Sequence, residues 1–74
     1  MNVDRELDTR GLTCPMPIVK TKKALLAMAG GQILRVVATD PGSVSDMKAF
    51  AEATGHELLS SETSGKEFIF FLKK

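Results

Sequence analysis

Residues 7–20 read LDTRGLTCPMPIVK, and how this stretch divides decides the fold. Upstream, VDRELDT (residues 3–9) alternates Val3, Arg5 and Leu7 with polar neighbours, the period of a half-buried strand. Downstream, Ile18, Val19, Leu25, Leu26 and Ala29 fall on one side at a helical period, and Ala-Gly-Gly at 29–31 supplies a stop. The join is Thr-Cys-Pro-Met-Pro, residues 13–17, which holds the chain's only cysteine. Pro15 drives Cys14 toward the extended angles of an N-cap, and proline is favoured at the first helical position. One division therefore makes Cys14 the cap and Pro15 the first helical residue. Pro17 disfavours helical angles at Met16, so a second division has Met16 as cap and the helix starting at Pro17.

The rest of the chain continues the alternation. QILRVVAT, residues 32–39, is rich in branched apolar residues and reads as a buried strand. After the break DPGS, Val44, Met47, Phe50, Ala51 and Thr54 recur at three- and four-residue steps and predict a second helix. Ser43 is its expected N-cap, Asp46 the capping-box partner and Gly55 the stop. ELLSSE and EFIFFL flank TSGK as a hairpin, with Phe70 or its neighbours expected to face outward. The order strand, helix, strand, helix, strand, strand predicts a two-layer α/β (α+β) sandwich. Its four-stranded mixed sheet carries both helices on one face, and residues 1–74 form a single domain.

Composition narrows the function. The chain has 74 residues and a formal net charge of +1, too small an excess for a domain that grips phosphates. It has no Trp or Tyr and no stacking platform for bases, so direct nucleic-acid binding is not expected. One cysteine excludes an internal disulfide and a two-cysteine redox motif, and with a single histidine it leaves no conventional metal site. The charged start MNVDRELD and the lack of a long apolar run point to no membrane association and a cytoplasmic setting, where a thiol stays reduced.

A free cysteine is more often a small buried hydrophobe than a reagent. The two prolines and the helix start argue for exposure instead. There the helix dipole and free amides stabilise an anion, lowering a thiol's pKa. The nearest free donors are expected to be the N–H groups of Met16 and Ile18, with Arg10 and Lys20 adding positive potential and Gly11 bending the loop. The plainer reading of the lysines at 20, 22 and 23 is a solvated helix face, and of His56 a structural residue. A nucleophile with no evident general base and no cofactor motif suits a carrier better than a self-sufficient enzyme. A monomer is the expected form for a shuttle that exposes one small site.

These residues resemble the TusA/SirA-like sulfur carriers. Leu7, Asp8, Gly11, Cys14, Pro15 and Pro17 match the family's Cys-Pro-x-Pro signature. Asp40, Pro41, Asp46 and Phe50 match its second crossover, and TGHEL the start of its third strand. Many relatives carry proline where this chain has Lys48. The resemblance implies the same sandwich and a motif cysteine, Cys14, that carries sulfur as a transient persulfide without a cofactor. It implies a cysteine desulfurase or rhodanese-type donor and a downstream relay protein. Family destinations are tRNA 2-thiolation, molybdenum-cofactor assembly and dissimilatory sulfur metabolism, with some relatives linked to selenium. The rival from another class is a protein-binding or regulatory module in which Cys14 is incidental.

Overall fold

The computed structural model describes residues 2–74. Its elements are β1 (Arg5–Thr9), α1 (Met16–Leu26), β2 (Ile33–Ala38), α2 (Ser43–Thr54), β3 (Glu57–Ser64) and β4 (Glu67–Lys73). The sheet order is β1-β2-β4-β3, with β1 parallel to β2 and both other pairs antiparallel. This is the expected four-stranded mixed sheet under two helices. The β3–β4 hairpin closes through Gly65 and Lys66, and Gly65 at φ +61° takes the left-handed first position that such a tight turn requires.

Strand alternation sorts the sheet into two faces. Leu34, Val36, Ala38, Phe70 and Leu72 point at the helices and meet Ala24, Leu25, Met28, Met47, Phe50 and Ala51 in one core. Of the expected alternatives, Phe70 or its neighbours facing outward, the neighbours hold: Phe70 is inward, while Ile69 and Phe71 lie half-buried on the open face. At the edge, β1 contributes Leu7 and fully buried Thr9, whose hydroxyl donates to the Val37 carbonyl at 2.7 Å.

Both helices differ from their sequence reading. In α1 the buried stripe is Pro17, Thr21, Ala24 and Leu25, continued by Met28, whereas Val19 and Leu26 are 44% and 70% exposed. Thr21 escapes a search for apolar periodicity because it is polar. Its hydroxyl is satisfied by the Pro17 carbonyl at 2.8 Å, and its methyl side is free to pack. α1 also ends at Leu26, before Ala-Gly-Gly, with Gly31 at φ +86° serving the turn into β2. In α2 the N-cap is Gly42, not Ser43. Ser43 is buried, and its hydroxyl and amide both donate to the Asp40 carbonyl, while Asp46 makes no capping bond. Gly55 ends the helix in the left-handed conformation as expected. Among the described residues no helix is long and apolar enough to cross a membrane.

Candidate functional site

The β1–α1 connection leaves the edge of the sheet through a turn at Thr9–Leu12 and delivers Cys14 to the surface. Gly11 sits at φ +81°, and its N–H donates to the Thr39 hydroxyl at 2.9 Å, tying this loop to the end of β2. The Cys14–Pro15 peptide is cis. Pro15 is the N-cap residue and Met16 the first of the helix, with Pro17 buried in the second position. Neither sequence division holds, because Pro15 takes the cap itself and Cys14 stands one residue outside.

That shift changes the local chemistry. The Met16 amide donates to the Thr13 carbonyl at 2.9 Å and the Ile18 amide to the Pro15 carbonyl at 3.1 Å. Pro15 and Pro17 carry no N–H. The first turn therefore offers the sulfur none of the donors that the sequence reading assigned to it.

Cys14 is held instead by two carboxylates from the second crossover. Its N–H donates to Asp40 Oδ2 at 2.8 Å, and its thiol donates to Asp46 Oδ2 at 2.8 Å. Asp40 Oδ1 accepts the Gly42 amide at 3.1 Å, so both Asp40 oxygens are engaged. The thiol lies above the usual thiol range, chiefly through the hydrogen bond to Asp46, then desolvation, then the negative charges of Asp46 and Asp40. The expectation of a lowered pKa is thus reversed, because acceptors rather than donors meet the sulfur.

Beside the thiol an open groove runs between the two helices, lined by Pro15 and Ile18 from one side and Asp46, Ala49, Phe50 and Ala53 from the other. Met16 and Val19 remain about two-fifths exposed nearby in sequence, at 42% and 44%. Arg10 is not part of this site. It grips Asp8 with two 2.9 Å hydrogen bonds and reaches Glu67 at 3.4 Å. The Arg10 hydrogen bond holds the Asp8 carboxyl down to about 2. Lys20 lines a separate hollow with Arg5, Leu7, Lys23 and Ala24. His56 stacks on Phe50 with ring centroids 5.9 Å apart.

The residues missed as thiol partners are Asp40 and Asp46. One signal for Asp46 was present, since Asp46, Ala49, Phe50 and Ala53 follow three- and four-residue steps and line one side of the groove.

The chain matches the family described as Sulfurtransferase TusA over residues 5–74. It belongs to the TusA family. It is 56% identical over 71 residues to the sulfur carrier protein TusA of Allochromatium vinosum, covering 96% of this chain and 93% of that protein. It is 46% identical over 74 residues to the putative sulfur carrier protein YrkI of Bacillus subtilis, covering 100% and 99%. A SirA-like protein from Desulfitobacterium hafniense superimposes with a TM-score of 0.81 at 22% identity, over 93% of this chain and 95% of that one. That last likeness establishes the sandwich fold. The TusA family match spans Cys14 and both crossovers.

Proposed function

We propose that this chain is a sulfur carrier that accepts sulfane sulfur on Cys14 as a persulfide and passes it to a partner protein. The observation that carries this reading is the exposed, lone thiol at the mouth of an apolar groove, in a chain similar to sulfur carriers along almost its whole length. The Cys14 sulfur attacks the outer sulfur of a donor persulfide. The donor's S–S bond breaks, a new one forms at Cys14, and the proton lost from Cys14 ends on the donor's released thiolate. No oxidant or cofactor enters the balance. A cysteine desulfurase or a rhodanese-type sulfurtransferase supplies such a donor, and a relay protein with an acceptor thiol takes the sulfur onward. A cytoplasmic setting keeps the unloaded thiol reduced.

The test is intact mass after incubation with cysteine plus a desulfurase, or thiosulfate plus a rhodanese. The expected result is a gain of one sulfur atom, lost on reduction and absent in Cys14→Ser. No gain from either donor, or the same gain in Cys14→Ser, would overturn the proposal.

A further inference from the structure

The groove holds one ionisable group besides the thiol, and it is the carboxylate in contact with it. Asp46 is half-buried on α2, and its Oδ2 lies 2.8 Å from Cys14 Sγ. Among the described residues its carboxylate makes no other hydrogen bond, so capping α2 does not explain its position. Asp40, the other acid facing Cys14, spends its oxygens on the Cys14 and Gly42 amides. Arg10, the expected cation, is turned to Asp8 and Glu67. The sulfur therefore meets negative charge with no opposing cation among these contacts.

Such an arrangement treats the two states of a carrier differently. An unloaded thiol gains a hydrogen bond by keeping its proton. A persulfide is more acidic than its parent thiol, so at neutral pH it is largely an anion and cannot donate that bond.

We propose that Asp46 is a positioning residue that biases Cys14 toward giving its sulfur away, by favouring the protonated unloaded thiol over the anionic persulfide. This rests on the persulfide reading above. The exchange is Cys14 persulfide plus an acceptor thiol giving Cys14 thiol plus the acceptor persulfide. One S–S bond breaks as one forms, and the proton leaving the acceptor thiol is the one Cys14 regains. Asp46 also keeps the empty carrier slow to react with adventitious electrophiles, because the thiolate is the nucleophile. The upward displacement of the thiol's titration agrees with this geometry.

Asp46→Asn retains the shape and an acceptor oxygen but removes the charge. Two measurements test it, with circular dichroism confirming the fold. The first is the pH profile of iodoacetamide alkylation, which moves to lower pH in Asp46→Asn and back toward wild type in Asp46→Glu. The second is the exchange constant with the glutathione persulfide/glutathione pair, read by intact mass. A unit charge at roughly 3 Å acting through solvent is worth about tenfold, so Asp46→Asn shifts exchange toward the loaded carrier by about that factor. An unchanged profile and constant in folded Asp46→Asn overturn the inference and leave the carrier reading standing. A wild-type alkylation midpoint at or below that of free cysteine overturns it without any variant. Wild-type protein that never takes up sulfur overturns the carrier reading and this inference together.

Discussion

The two strand-to-helix crossovers of this chain are built from similar parts and do different work. Each places a residue–proline pair before its helix, Cys14-Pro15 in the first and Asp40-Pro41 in the second. The second closes on itself. Asp40 accepts the Gly42 amide through its side chain, and the Ser43 amide and hydroxyl through its carbonyl. The first makes backbone turns and an Arg10–Asp8 contact but holds neither the N–H nor the thiol of Cys14. Both of those are held by Asp40 and Asp46 of the second. The crossover that carries Cys14 is thus positioned by the self-sufficient one, which leaves the thiol at the surface while its amide is held.

Removing the support of α2 breaks this relation most deeply. Met47 is fully buried directly after Asp46, and Met47→Ala is expected to cost about 2–5 kcal/mol, read by urea unfolding. A domain of this size holds only about 5–10 kcal/mol in all, so this variant is a large fraction of the whole. Asp40→Ala strips an acceptor from one amide in each crossover and is expected to cost about 1–3 kcal/mol. Its signature is faster hydrogen exchange at Cys14 and Gly42 together. An effect confined to Gly42 would mean that the first crossover holds itself.

Ser43→Ala sharpens the comparison, because it touches only the second crossover's internal closure. It removes one hydrogen bond at a buried site and is expected to cost about 1 kcal/mol, with the Cys14 alkylation rate unchanged. The smallest effect belongs to Asp8 and Arg10, which sit beside the first crossover without reaching Cys14. Asp8 titrates at about 2 in the folded chain, below its unfolded value. Its contribution is therefore present above roughly pH 4 and disappears as pH falls through about 2. The pair is solvent-exposed, so Asp8→Asn should move the acid-unfolding midpoint only slightly, and not at all in assays at neutral pH of sulfur loading.

Much of the fold was legible because each element announces its period locally. The branched run at 32–39, the turn at Gly65–Lys66 and the left-handed Gly55 all lie where their residue types place them. The errors share one cause. Val19 and Leu26 look like core and Thr21 does not, since apolarity is a poor guide where a hydroxyl satisfies itself on its own helix. Ser43 and Asp46 fit a capping box on spacing alone, yet one bonds the preceding loop and the other bonds a thiol across the groove. Capping rules count neighbours in sequence, and tertiary partners compete for the same atoms.

The amino-acid sequence by itself determined the order of elements, the mixed sheet, and Cys14 as an exposed thiol at the head of α1. Those follow from backbone restrictions and periodicity that act within a few residues. Only the tertiary structure decided what the sulfur faces. Pro15 takes the cap position, the first amides of α1 turn to local carbonyls, Arg10 folds back on Asp8, and Asp46 arrives from 32 residues further along the chain. Charge near a thiol is set by distance in space, and distance in space is fixed when the two crossovers pack together.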